Sequence, residues 1–210
     1  MSQIPLSFCY AVLSGGKSSR MGRDKSLLSI DGQSIIERIV GDIQSFTAQR
    51  DYLYLCSGAK RYHQLDNQNL NYLDDYLADC QGPLSGLAAA LLAVKTNQKT
   101  DCNWVFTFPT DTLLMPSETF SPLRQAIEQN PTAQVIYLGG ERDHPLHAAY
   151  RVDTAEALFS YLADGNRAVM KFVHQLDHKL IKIPNHWQEY LNFNTEDGFK
   201  KALKAYNQSN

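Results

Sequence analysis

"FCYAVLSGGKSSRMGRDK", residues 8–25, decides how this chain is read. Its first six residues form an uninterrupted apolar run, the pattern of a strand buried on both faces of a parallel sheet. Immediately afterwards the chain gathers Gly15, Gly16 and Gly22 with Lys17, Arg20, Arg23 and Lys25. Small residues after a buried strand let several backbone N–H groups converge on one anion. The guanidinium fork of Arg20 and the ammonium of Lys25 suit phosphate oxygens. The competing reading is a surface turn with solvated charges. Two familiar phosphate loops fail on spacing. A P-loop ending at Gly16-Lys17-Ser18 would need glycine at position 11, which is Ala11, and the adjacent Gly15-Gly16 admit no G-x-G-x-x-G.

Working outward, the pattern alternates strands with helices. A turn at Asp31-Gly32 precedes a helix from Ser34, where Ser34 and Glu37 have capping-box spacing. Strands are expected at 51–57 and, briefly, at 70–75. A helix over 82–96 is entered through Pro83 and Gly86. A strand at 103–108 ends at Pro109, a helix covers 117–130, and a strand covers 133–139. A weaker alternation predicts a strand at 145–152, with 139–147 and 58–69 as loops. Residues 153–175 read as helical with a break at Asp164-Gly165, 178–184 as a late strand and 195–207 as a C-terminal helix. The expected fold is α/β: a three-layer Rossmann-like domain over 1–210, its mostly parallel central sheet flanked by helices.

A second signal lies at "NWVFTFPTDTLLMP", where Asp111 follows a strongly apolar strand just past Pro109. In an open α/β sheet the carboxyl ends of the strands are where ligands bind. A carboxylate beside a phosphate loop can hold a hard divalent cation shared with phosphate oxygens; a helix cap or turn aspartate is the alternative. Asp75, between two turn-rich stretches, can take a hydroxyl or base donor of a nucleotide or simply occupy a turn.

Composition narrows the partners. With 210 residues, 43% hydrophobic and 20% charged, and a formal net charge of −2, the chain lacks the basic excess of a general nucleic-acid binder. Cys9, Cys56, Cys80 and Cys102 form no CxxC pair and read as buried thiols. No apolar run is long enough for a membrane span, and the N-terminus lacks the basic region of a signal peptide, so a cytoplasmic location is expected. His63, His174, His178 and His186 show no metal-ligand spacing.

These residues resemble one family. Residues 13–28, "LSGGKSSRMGRDKSLL", are similar to the opening signature of the molybdenum cofactor guanylyltransferases, within a larger nucleotidyltransferase superfamily. Further marks follow in order: Asp75, "GPLSG" at 82–86, "PTD" at 109–111, "HPLHAAY" at 144–150, and Asn192 and Asn194 in "NFNT". The resemblance implies transfer of GMP from GTP to molybdopterin, with release of pyrophosphate. It assigns Leu13, Ser14 and Gly15 to the nucleotide loop, with Gly16 and Gly22 shaping it. Arg20 and Lys25 would face the triphosphate, Asp75 guanosine, and Asp111 a Mg2+ ion. His144, Arg167, Asn192 and Asn194 would form the pterin side. Transient contact with proteins that make or receive the cofactor is a further implication. Two departures stand out: Ser57, Gly58 and Ala59 occupy a loop where the family often has asparagine, and "NFNTEDGF" lacks the family's proline. A same-fold cytidylyltransferase and a nonenzymatic GTP sensor are the rival readings; "LSGG" favours the guanylyl branch over the "LAAG" opening of cytidylyl relatives.

Overall fold

The computed structural model describes residues 8–15, 24–48, 51–66, 68, 70–78 and 82–209. Gly16, Lys17, Arg20, Gly22 and Cys80 lie outside them, so the expectations for those residues have no structural counterpart.

The apolar run becomes β1 (Cys9–Leu13), every residue buried. Its alternation explains why it carries no polar residue. Tyr10 and Val12 pack into one hydrophobic cluster, while Cys9, Ala11 and Leu13 pack into another on the opposite face of the sheet. A two-residue hairpin joins β2 (Ser29–Ile30) to β3 (Gln33–Ser34), with Asp31 and Gly32 at φ values of 51° and 84°. Positive φ at both central positions is what the tight, right-twisted hairpin turn requires. The expected capping box starts α1 (Ile35–Phe46): Glu37 N–H donates to Ser34 Oγ at 3.4 Å, and Ser34 N–H donates to Glu37 Oε2 at 2.8 Å.

The remaining elements are β4 (Tyr52–Cys56), β5 (Asn71–Leu73), α2 (Pro83–Thr96), β6 (Trp104–Pro109), α3 (Pro116–Gln129), β7 (Val135–Gly139), β8 (Asp143–Arg151), α4 (Ala155–Ala163), α5 (Val169–Val173), β9 (His178–Lys182) and α6 (Glu196–Ser209). Seven strands form one sheet in the order β5-β4-β1-β6-β8-β7-β9. β8 alone runs against its neighbours; the β5-β4-β1-β6 and β7-β9 pairings are parallel. α1, α3 and α6 bury residues in the cluster on one face, and α2, α4 and α5 in the cluster on the other. The mostly parallel, three-layer arrangement matches the expectation. Cys9, Cys56 and Cys102 are buried and form no disulfide.

One expectation is corrected. Residues 139–147 are not a continuous loop, because β8 starts at Asp143 and leaves only 140–142 as the connection. The strand is hard to read because it bulges. Tyr137 pairs with Ala148 but Leu138 with His144, so Pro145, Leu146 and His147 are extruded from the ladder on that side. A bulge is where a strand tolerates proline.

The chain moves from β1 outward through β4 to β5, then returns to place β6 on the other side of β1. The carboxyl ends of β1 and β6 therefore flank the point where the winding reverses, the place an open α/β sheet leaves a ligand crevice.

Candidate active site

At that point, Leu13 pairs with both Cys56 and Pro109, so three strands end at one level. A cavity of about 200 Å³ opens above them. Leu13, Ser14 and Gly15 form one wall, Pro109, Thr110 and Asp111 another, and a short turn carrying Asp24, Lys25 and Ser26 a third. Pro83, the first residue of α2, and Leu146 complete it. The Ser14 and Gly15 N–H groups both donate to the Cys56 carbonyl at 3.1 Å. Their N–H groups are thus committed to β4, and these two residues supply the cavity with shape. The Asp75 carboxylate stands beside this wall: a Cβ on Gly15 would lie 3.7 Å from Asp75 Oδ1.

The turn that presents Lys25 is tied down locally. Asp24 caps it, accepting from Ser26 N–H at 3.0 Å, and Ser26 Oγ lies 2.8 Å from Thr110 Oγ1. Lys60 Nζ donates to Asp24 at 2.8 Å and Tyr62 OH donates to the same oxygen at 3.4 Å. The loop at Ser57–Ala59 feeds the same arrangement: Ser57 Oγ donates to the Lys60 carbonyl at 2.8 Å, closing a turn beside the Lys60–Asp24 pair.

Lys25 Nζ donates to Asn194 Oδ1 at 2.6 Å and stands 3.8 Å from Asp111 Oδ2; Asn194 Nδ2 in turn donates to Asn192 Oδ1 at 3.0 Å. Residues 169 positions apart meet because the tail is sewn to the end of β6. Phe193 N–H donates to the Asp111 carbonyl, and Leu113 N–H to that of Tyr190, each at 3.0 Å. Burial pushes the Asp111 carboxyl above its ordinary range, and the Lys25 ammonium opposes that shift.

A second cavity of about 120 Å³ adjoins the first and shares Pro109, Asp111 and Leu146 with it. His144 and Asn192 line it, as do His147 and Val169. Arg167 lines neither cavity: its guanidinium donates to the Leu162 and Asn166 carbonyls at 2.9 and 2.6 Å, at the end of α4.

The model for the MobA-like NTP transferase domain matches residues 10–180. The chain belongs to the MobA-like NTP transferase family. Proteins named molybdenum cofactor guanylyltransferase are its curated relatives. That of Haemophilus influenzae (strain KW20 / Rd) is 31% identical over 195 residues, 91% of this chain and 95% of its own. That of Pasteurella multocida is 34% identical over 173 residues, 81% and 85% of the two chains. Among solved structures, the molybdopterin-guanine dinucleotide biosynthesis protein A of Archaeoglobus fulgidus superposes with a TM-score of 0.72 at 18% identity, covering 96% of this chain and all of that one. A Thermus thermophilus 2-C-methyl-D-erythritol 4-phosphate cytidylyltransferase follows at 0.63 and 12%, covering 96% and 100%. A Mycobacterium tuberculosis protein solved with manganese reaches 0.66 at 17%, covering 94% and 98%. At these identities the structures speak for the fold.

As a MobA-like transferase the chain is a nucleotidyltransferase, and its donor set fits a divalent cation bound jointly with substrate. Among the described residues no group of three or more His, Cys, Asp or Glu could hold a metal by itself. Asp111 offers the one carboxylate shared by the described linings of both cavities. One carboxylate completed by phosphate oxygens and water is how Mg2+ is commonly held.

Three features of this MobA-like site escaped the sequence reading. Asp24 and Ser26 position Lys25 through short-range caps; the signal was an aspartate directly before the lysine. Lys60 follows the Ser57–Ala59 loop, and nothing in that stretch of sequence ties it to Asp24. His147 stands three residues after His144 in a stretch otherwise read as apolar strand.

Proposed function

We propose that this chain transfers GMP from GTP to molybdopterin, forming the guanine dinucleotide cofactor and releasing pyrophosphate, as a single cytoplasmic nucleotidyltransferase domain. The observation that carries the reading is the convergence of Lys25, Asp111, Asn192 and Asn194 where two cavities meet. A two-substrate phosphoryl transfer needs a nucleotide chamber and an acceptor chamber that share a charged boundary. The larger cavity takes the triphosphate, with Leu13, Ser14 and Gly15 as its wall and Asp75 toward guanosine. The smaller one receives the acceptor beside His144 and Asn192. Arg20, Gly16 and Gly22 belong to the triphosphate side on the strength of the family motif. Arg167, turned toward α4 here, would have to leave its carbonyl partners to reach the acceptor.

The terminal phosphate of the acceptor attacks the α-phosphorus of GTP; the new P–O bond forms as the bond to the β-phosphate breaks, and pyrophosphate leaves. A phosphate monoester has a second pKa near 6, so the nucleophile is mostly a dianion at neutral pH and needs no strong base. Mg2+ on Asp111 would supply charge neutralisation for the phosphoryl oxygens and the departing pyrophosphate. Lys25 offsets repulsion between the two anions, and its bond to Asn194 holds the ammonium between the chambers.

Pyrophosphate release, measured with Mg2+ and molybdopterin and with GTP or CTP in parallel, tests the reading. Pterin-dependent release from GTP is expected. Release from CTP alone would reassign the chain to the cytidylyl branch, and tight GTP binding without any release would make it a sensor.

A further inference from the structure

His147 is a buried polar side chain that the reaction so far leaves without a task. It is only 3% exposed, yet neither ring nitrogen forms a hydrogen bond; the Leu191 main chain lies against the ring without completing one. Such a group normally finds a partner, and each exception calls for a reason. The bulge in β8 supplies one. His147 ends the stretch Pro145–His147 extruded from the ladder and lines the smaller cavity, with the His144 ring 6.3 Å away and roughly perpendicular. His144 Nε2 is likewise buried without a hydrogen bond.

The polar lining of this cavity is distinctive. Asp111, Asp143, His144, His147 and Asn192 face it, and among the described residues no lysine or arginine does. Away from Asp111 and its neighbour Lys25, described walls with a carboxylate, two imidazoles and an amide but no basic side chain are a poor seat for a phosphate and a good one for an uncharged ring bearing N–H donors. The phosphate of the acceptor is then left to the Lys25 side of the boundary.

We propose that His147 is a specificity-determining contact for the acceptor, hydrogen-bonding an uncharged polar edge of its heterocycle while the acceptor's phosphate points toward Lys25 and Asp111. This rests on the acceptor assignment above. Burial holds the imidazole pKa down to about 3, so at neutral pH the ring offers one donor and one acceptor and no charge.

The test is equilibrium dialysis of molybdopterin against wild type, His147→Leu and His147→Asn, with GTP titrations and thermal melts alongside. Leucine removes both polar atoms and should weaken molybdopterin binding about tenfold or more, with GTP affinity unchanged. Its melting temperature should equal or exceed wild type, because an apolar side chain replaces a buried unpaired one. Asparagine, which keeps a donor and an acceptor, should recover part of the affinity. Unaltered molybdopterin affinity in His147→Leu would overturn the proposal. So would a variant that fails to fold or loses affinity for both substrates alike, since either outcome makes the imidazole structural. Binding is read without turnover, so wild type that binds molybdopterin but releases no pyrophosphate would refute the transferase reading and leave the His147 comparison standing.

Discussion

Lys25 is held by two partners of different character: a carbonyl oxygen of Asn194 at hydrogen-bond distance and the Asp111 carboxylate at 3.8 Å. The amide fixes where the ammonium sits without cancelling its charge, which leaves that charge available to phosphate. Asp111 depends on the same ammonium, because burial raises its pKa and Lys25 is the first influence that lowers it. Lys25→Met should therefore act twice, removing a cation from the phosphate path and making Asp111 harder to ionise for a metal. We expect turnover to fall by roughly 10²–10³, the scale of losing one preorganised stabiliser of developing charge, while the melting temperature changes little. Pyrophosphate kinetics beside a thermal melt check this; unchanged turnover at matched stability would remove Lys25 from the chemistry. Lys25 was legible from its motif, but its partner was not. Nothing local in "NFNT" says that Asn194 reaches back 169 residues, since that contact exists only because Phe193 and Tyr190 bind the strand end carrying Asp111.

At the scale of elements, legibility followed burial. β1 and β6 were readable because both faces of each are covered, which demands unbroken apolar runs, and α1 because its cap is written in two residues. The start of β8 was not, because its bulge places His144, Pro145 and His147 at positions whose polarity serves a cavity rather than a ladder. α2 is a third case, a helix whose near-uniform apolarity hides which side meets the sheet. Gly86 settles it: a Cβ there would lie 3.2 Å from Cys56 Cβ and 3.5 Å from Leu13 Cδ2. The helix approaches β1 and β4 closely enough that a side chain there crowds Cys56 by a few tenths of an ångström. Gly86→Val should cost about 1–3 kcal/mol, as overpacking generally does. Because Leu13 and Pro83 wall the nucleotide cavity, it should also weaken GTP binding. A thermal melt and a GTP titration measure the two effects; retention of both would mean that α2 slides outward at no cost.

For the molecule as a whole, the winding of the sheet brings Asp111, His144 and His147 to one cavity, and these three groups shape how stability responds to pH. Asp111 and His147 line the same cavity and pull in opposite directions. The Asp111 pKa is raised on folding, so its contribution is present below about 3.8, the unfolded value, and is lost as pH rises through the folded one. The His147 pKa is lowered from 6.5 to about 3 by burial and, secondarily, by the neighbouring His144. The unfolded chain therefore binds a proton at this residue between those two values while the folded chain does not, and stability falls as pH drops through that window. His144, also lowered by burial, adds in the same direction. His147→Leu removes the larger of the two histidine contributions. Relative to its value at neutral pH, the variant's stability advantage over wild type should grow by on the order of 2 kcal/mol at pH 4.5. Urea unfolding of both proteins at pH 7 and pH 4.5 measures the difference. Parallel losses in the two proteins would mean that the imidazole is protonated in the folded state at the lower pH, and so that water reaches the floor of the acceptor cavity.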